Sequence, residues 1–262
     1  MKIAAWNVNS LNVRLPRLLA WLERQTPDIV CLQETKCEDH RFPQEALLEA
    51  GYRSCFHGQK TYNGVAILAR REIQITEVPI TEVCCGIADY DDPQARVIAA
   101  TVAQLRVVCV YVPNGQSVGS EKFEYKMQWC RRLRRYLEEM LAQYPKLIVA
   151  GDFNIAPDDR DVYDPGAWRG QILCSDEERA AFRSFLSLGL ADSFRLFEQP
   201  PNVFSWWDYR QLGFAKNRGL RIDHLLVSEA LRPQCVTGTI DRDERKGEKP
   251  SDHAPVMVTL SE

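Results

Sequence analysis

Amides, carboxylates and a histidine recur in this chain where short apolar runs end. Ile3 to Trp6 leads into Asn7, with Asn9 two residues on, and Ile29 to Leu32 leads into Gln33-Glu34. Leu147 to Ala150 passes through Gly151 to Asp152 and Asn154, and Leu220 to Ile222 leads to Asp223. Pro250-Ser251-Asp252-His253-Ala254-Pro255 stands just before the last apolar run. Short buried runs of this kind read as strands, and open α/β sheets gather ligands at strand ends. Packing alone gives no reason to end buried strands in acids and amides. Hard oxygen donors and one imidazole on a shared rim suit a divalent cation such as Mg²⁺ and the hydrolysis of a phosphodiester.

Each residue has a role in that chemistry and a plainer alternative. Glu34 can bind the metal while water and substrate phosphate fill its other sites; otherwise it is an exposed turn acid. Asn7 can help hold the metal or a phosphate oxygen, or cap a turn. Asp152 is the candidate base for the attacking water, with Asn154 as a donor to phosphate, although Gly-Asp-x-Asn is also good turn chemistry. Asp223 and His253 form a second pair. A carboxylate beside an imidazole fixes its tautomer and supports its protonated form, which can stabilise a pentavalent phosphate. His224 should face the other side of its strand, and His40 and His57 read as surface or loop residues. Arg96, Lys126, Arg210, Lys216, Arg218 and Arg221 lie near the motifs and are candidates for phosphate contacts. Arg131, Arg132, Arg134 and Arg135 crowd one helix and read as a solvated face.

These residues need elements to carry them. Leu15, Leu18, Leu19 and Leu22 make a helical stripe after the first strand, and Phe123, Met127, Cys130, Leu133, Leu137 and Leu141 make a longer one. Pro43 and Gly51 bracket a short helix, and Ser175 with Glu178 forms a capping box. Further strands are expected at 64–69, 97–102, 106–112, 220–227 and 256–260, with 156–175 as loop. The order implies an α/β fold of four layers, two facing mixed sheets with helices outside. No repeat or linker interrupts it, so residues 1–262 are expected to form one domain.

Composition narrows the class. The chain has 262 residues, 45% of them apolar, and a net charge of −3. It is no polybasic protein, so any nucleic acid must be held by a local patch and a metal. Nine cysteines are an odd number without a C-x-x-C, and the four histidines do not cluster with them. A disulfide framework and a zinc site are therefore not expected, and a reduced, cytoplasmic setting is. Neither a signal peptide nor a membrane span is expected.

Taken in order, Gln33-Glu34-Thr35-Lys36, Gly58-Gln59-Lys60, Asn63-Gly64-Val65-Ala66, Gly151-Asp152-Phe153-Asn154, Arg218 to Asp223 and Pro250 to Pro255 resemble the motifs of the exonuclease III family. These are abasic-site DNA repair nucleases within the endonuclease/exonuclease/phosphatase superfamily, and the likeness spans essentially the whole chain. The resemblance implies a monomeric, Mg²⁺-dependent phosphodiesterase, with Mn²⁺ able to substitute, acting on double-stranded DNA. It would cut 5′ to abasic sites, or remove 3′ blocking groups and 3′ nucleotides. The resemblance also places the Tyr111 phenol at the scissile phosphate, Asp252 on the metal side, and Trp206, Leu220 and Ile222 in a pocket for a base-less sugar. The segment from Asp161 to Ser175 should lie close to the DNA. Other readings are a 3′-end-processing enzyme unable to cut internal abasic sites, a phosphodiesterase for another substrate, and a catalytically decayed DNA-binding relative.

Overall fold

A computed structural model of the protein describes residues 1–73 and 76–261. Its core is two six-stranded sheets packed face to face. The first runs, edge to edge, through Cys235–Ile240, Val256–Leu260, Lys2–Asn7, Ile29–Gln33, Val65–Arg70 and Tyr52–His57. The second runs through Leu190–Asp192, Asp223–Ser228, Leu147–Asp152, Leu105–Tyr111, Val97–Val102 and Ile80–Cys85.

Strand alternation sorts the side chains into layers. Ile3, Ala5, Ile29, Cys31, Ile67, Ile98, Val107, Cys109, Ile148 and Leu225 face the space between the sheets. Their neighbours Ala4, Trp6, Val30 and Leu32 face outward against Leu18, Trp21 and Leu22 of the helix Leu11–Gln25. On the far side, Trp129, Leu133 and Leu137 of Glu121–Gln143 and Phe182 and Phe185 of Asp176–Leu186 cover Val97, Val108, Val110 and Val149. The result is the expected helix-sheet-sheet-helix stack. Strands buried on both faces have no polar side to show, which is why they read as continuous apolar runs. Helix starts follow local chemistry: Ser120 accepts from the Phe123 amide, and Ser175 and Glu178 complete a reciprocal capping box.

Topology brings the strand ends together. Lys2–Asn7 runs parallel to Ile29–Gln33 and pairs Asn7 with Gln33. Leu105–Tyr111 runs parallel to Leu147–Asp152 and pairs Tyr111 with Asp152. Asp223–Ser228 is antiparallel, so its first residue pairs with Asp152. One rim thus collects the ends of two strands from each sheet and the start of a fifth.

Two expectations need correction. The run 220–227 is broken: Gly219–Leu220 forms a small ribbon with Trp206–Trp207, and only Asp223–Ser228 joins the large sheet. The stretch 156–175 is less irregular than its prolines and glycines suggest. It holds helical turns at Asp159–Asp161 and Pro165–Trp168, and Val162 bridges to Leu220. All nine cysteines are free. No helix among the described residues is long and apolar enough to cross a membrane.

Candidate active site

The rim is built from turns that few residues tolerate. Glu34 and Lys36 both hold φ of 52°, a left-handed conformation that is uncommon outside Gly, Asn and Asp. Backbone amides lock it: Ser10 and Leu11 donate to the carbonyls of Glu34 and Thr35, while Thr35 and Lys36 donate to those of Gly64 and Asn63. Gly64 is required by that approach, since a Cβ there would lie 2.1 Å from Thr35 Oγ1. Gly151 is required in the same way, because its Cβ would lie 1.9 Å from the Val110 carbonyl oxygen. Without the second glycine the strand carrying Asp152 could not pair closely with the strand carrying Tyr111.

Asn7 is the hub. Its Nδ2 donates to Glu34 Oε1 and to Asp152 Oδ2, each at 2.9 Å, and its Oδ1 accepts from the Asn9 amide. The Tyr111 hydroxyl also donates to Glu34 Oε1, at 2.9 Å. Ser251 Oγ donates to the Asn7 carbonyl at 2.6 Å and accepts from the His253 amide. That serine, which the sequence offers only as part of a motif, is what fastens the last motif to the first strand.

Asp152, Asp223 and His253 form a buried trio whose ligand atoms lie within 4.8 Å of one another. His253 Nδ1 donates to Asp223 at 2.9 Å, which leaves Nε2 facing Asp152 Oδ2 at 3.7 Å. Burial lowers the affinity of the imidazole for its proton, but Asp223 and Asp152 more than reverse this and raise the His253 pKa to about 10. Burial pushes Asp152 up to about 7; the His253 charge opposes that rise and Asp223 reinforces it. Near neutrality, then, the imidazole holds a proton and Asp152 sits close to its own titration point. Since Nδ1 is committed to Asp223, proton sharing explains the trio better than a metal does.

Asn154 occupies a different role from the one expected. Its backbone amide donates to Asp152 Oδ1 at 2.8 Å, and its Nδ2 donates to the Val112 carbonyl and to Asp152 Oδ2. Both side-chain hydrogens are spent, so Asn154 braces Asp152 and has none left for a phosphate. Asn114 holds Asn154 in turn, its Nδ2 donating to Asn154 Oδ1 at 3.1 Å.

On the other side of Asn7 lies a set of oxygens that converge on positive charge. Lys36 Nζ sits 2.8 Å from Glu34 Oε2 and 2.6 Å from Asn9 Oδ1. Asn9 Nδ2 donates to Asp252 Oδ1, and Trp206 Nε1 donates to Asp252 Oδ2. Burial would raise the Glu34 pKa, but Lys36 and Asn7 overcome it and keep the carboxyl below its usual range. Asp252 is likewise lowered, its burial outweighed by His253 and by the donors from Trp206 and Asn9. Ionised carboxylates and amide oxygens without a thiol among them fit a hard divalent cation. Glu34 and Asp252, the carboxylates expected on the metal side, can serve such an ion; Asn7, expected beside them, has its side-chain hydrogens on Glu34 and Asp152 and orients Glu34. Lys36, two residues past Glu34 and left-handed like it, stands within a sequence motif, but its contacts with Glu34 and Asn9 are not visible in the spacing.

The candidate DNA contacts divide. Arg218 and Lys216 are exposed, as is Arg210, which pairs with Asp208. Arg218 and Arg210 line a cavity of about 320 Å³ together with Tyr163, Trp168 and Trp206. Arg96 is only 9% exposed. It stacks on the Tyr111 ring and donates to the Tyr111 carbonyl, so it backs the tyrosine instead of reaching outward. Lys126 and Arg221 are corrections. Lys126 is fully buried and bonded to Glu178 and to the carbonyls of Asn114 and Asn154. Arg221, 1% exposed, holds Asp161 and Asp192. A cation sealed against internal carboxylates cannot reach a backbone phosphate. Leu220 is also corrected: it and Ile222 are packed beneath Val162, Leu173 and Cys174, and only Trp206 of the expected sugar pocket retains open surface. His224 faces away from the site, as expected, and bonds Arg221 and the Ile155 carbonyl.

The comparisons with known proteins agree from end to end. The endonuclease/exonuclease/phosphatase family matches residues 4–253. Exodeoxyribonuclease III of Haemophilus influenzae is 39% identical over 270 residues, covering 98% of this chain and 99% of its own. The solved structure of a 3′ phosphatase, NExo from Neisseria, bound to a product DNA hairpin is 44% identical with a TM-score of 0.95, and the match covers both chains fully. An AP endonuclease from Archaeoglobus fulgidus is 34% identical with a TM-score of 0.93, with 99% of each chain covered. With a family match and full-length relatives on the same two-sheet fold, the chain belongs to the exonuclease III family of the endonuclease/exonuclease/phosphatase superfamily.

Proposed function

We infer that this protein is a Mg²⁺-dependent DNA repair phosphodiesterase, with Mn²⁺ able to substitute, and that residues 1–262 act as one catalytic unit. The observation that carries this is the buried trio beside the oxygen set. An imidazole kept protonated at neutral pH stands 3.7 Å from a carboxylate whose pKa is about 7, and both lie next to Glu34 through Asn7. A bound divalent ion would polarise the phosphate and neutralise its charge. Asp152 takes a proton from water, whose oxygen forms the new bond to phosphorus as the bond to the leaving oxygen breaks. The His253 cation stabilises the negative charge that builds on the phosphate oxygens; the Tyr111 hydroxyl, whose one hydrogen lies on Glu34, joins it only by turning that hydrogen to the phosphate. Asp223 holds the imidazole in its tautomer, while Asn154 and Asn7 hold Asp152.

Within that activity, a specific observation favours action at 3′ ends over incision at internal abasic sites. Leu220 and Ile222, 0% and 1% exposed, offer no surface to an extruded sugar. The likeness to the Neisseria 3′ phosphatase points the same way.

The test uses duplex oligonucleotides bearing an internal abasic site, a 3′-phosphate or an intact 3′ end, each with Mg²⁺ and with chelator. Mg²⁺-dependent release of phosphate from the 3′ end, faster than abasic incision, is expected. Hydrolysis of none of them, or full activity in chelator, would overturn the reading.

A further inference from the structure

Asp252 and His253 are adjacent, and their side chains serve the metal side and the buried trio respectively. Each carbonyl from Pro250 to His253 is held by another part of the chain. Trp6 Nε1 donates to the His253 carbonyl at 3.2 Å, and the Trp207 amide donates to that of Asp252 at 3.0 Å. Arg245 Nη1 donates to the Ser251 carbonyl, and its Nη2 to that of Trp207 at 3.3 Å. The Pro250 carbonyl accepts twice, from the Tyr209 hydroxyl at 2.7 Å and from Arg14 Nη2 at 3.0 Å. Arg14, on the helix Leu11–Gln25, then closes a ring. Its Nη1 donates to the Asn9 carbonyl at 2.6 Å, and Asn9 Nδ2 donates to the Asp252 carboxylate at 2.9 Å.

The two guanidiniums are placed against their own solvation. Arg245 is 5% exposed and Arg14 is half-buried. Their hydrogen bonds go to carbonyls and to the Tyr209 hydroxyl. The Nε of each is buried without a partner among the described residues. Arg245 also lies 5.3 Å from the centre of the Tyr209 ring, so the phenol is fixed from below as well as through its hydroxyl. Burying part of a cation without full hydrogen bonding costs free energy, and packing alone would not favour it. What the arrangement supplies is direction. Asn9 and Ser10 stand at φ of 43° and 86°, a turn that needs holding, and Arg14 ties that turn to the segment carrying Asp252.

We propose that Arg14, Tyr209 and Arg245 are positioning residues that aim the Asp252 carboxylate, and so set how tightly the rim holds its divalent cation. This rests on the proposed function and names residues that tune its metal. Groups bonded behind metal ligands commonly carry a factor of about 10–100 in affinity. His253 is anchored separately: Trp6 holds its carbonyl, and its amide donates to Ser251 Oγ, which donates to the first strand at Asn7. Loss of the clamp therefore loosens the metal more than it slows the proton chemistry. Charge alone predicts the opposite sign, because taking a cation from beside a cation site should tighten metal binding.

The test is Mn²⁺ binding to the metal-free protein without DNA, read by the electron paramagnetic resonance of the free ion. Wild type is compared with Arg14→Met, Arg14→Lys and Tyr209→Phe. Arg14→Met should weaken binding roughly tenfold, the lower end of the range for such partners. Arg14→Lys keeps the charge but lacks the planar fork that serves Asn9 and Pro250 together, so it should weaken binding too. Tyr209→Phe loses one oxygen from a half-exposed ring that still packs against Arg245, and should weaken binding by a smaller factor. In Mg²⁺-dependent hydrolysis, the half-saturating concentration should rise more than kcat falls. Should the melting transition show that Arg14→Met folds poorly, Tyr209→Phe decides. Unchanged or tighter Mn²⁺ binding in the folded variants would overturn the clamp while leaving the metal-dependent reading intact. A wild type that binds no Mn²⁺ would remove the metal from the proposed function, and the clamp with it.

Discussion

Asp223 accepts a hydrogen bond from His253 Nδ1 at 2.9 Å, and this turns the other ring nitrogen toward Asp152. The pair therefore sets both the tautomer and the charge of the imidazole. With Asp152 titrating near 7 and His253 near 10, kcat/KM plotted against pH should rise through the first value and fall through the second. Asp223→Asn removes the charge that supports the proton, so the alkaline limb should move toward neutrality. Because the residues act as a unit, Asp223→Ala with His253→Ala should be little worse than the harsher single change. Multiplicative losses would show independent roles.

Asp152→Asn removes the base and one negative charge near the phosphates. Cleavage should fall on the order of 10²–10⁴-fold, as for general bases elsewhere, while DNA binding, read by fluorescence anisotropy, is kept or tightened. Loss of binding together with cleavage would make Asp152 a structural residue.

Metal dependence should follow Glu34. Chelator should abolish hydrolysis, and Glu34→Ala should raise the Mg²⁺ concentration needed for half-maximal rate. Lys36→Met is informative here because its ammonium sits on both Glu34 and Asn9. If it competes with the ion, the variant should need less Mg²⁺ than wild type. A titration in which it needs far more would place Lys36 in support of the metal.

His224 should govern acid stability. Arg221 donates to its Nδ1 and its Nε2 donates to Ile155, so only the neutral ring fits, and burial, with the Arg221 charge, lowers its pKa from 6.5 to about 4. The unfolded chain takes up the proton first as pH falls. Stability is thus full above 6.5 and is lost progressively down to about 4, by roughly 3 kcal/mol for this one group. Urea denaturation of wild type and His224→Gln across that window should show a shallower slope in the variant. Parallel slopes would refute it.

Much of the fold is legible because its inner strands are buried on both faces. Ile3 to Trp6, Ile29 to Leu32, Val65 to Ala69 and Leu147 to Ala150 can be apolar throughout only if helices cover one side and a second sheet the other. Four strands leave no such trace: Tyr52–His57, Ile80–Cys85, Leu190–Asp192 and Cys235–Ile240. They are the four sheet edges, where partial exposure admits polar residues and blurs the pattern. Site residues at strand ends, such as Asn7, Glu34, Asp152 and Asp223, are visible for the opposite reason, since an acid or amide closing a buried run has no packing purpose. The meaning of Arg221, Lys126 and Leu220 is not local. A cation near a motif reads as a phosphate contact until Asp161, Asp192 and Glu178, distant in the chain, arrive to neutralise it. An apolar residue beside a site reads as a pocket wall until Val162 and Leu173 fold over it. Burial and charge pairing depend on which segments meet, and only the tertiary arrangement sets that.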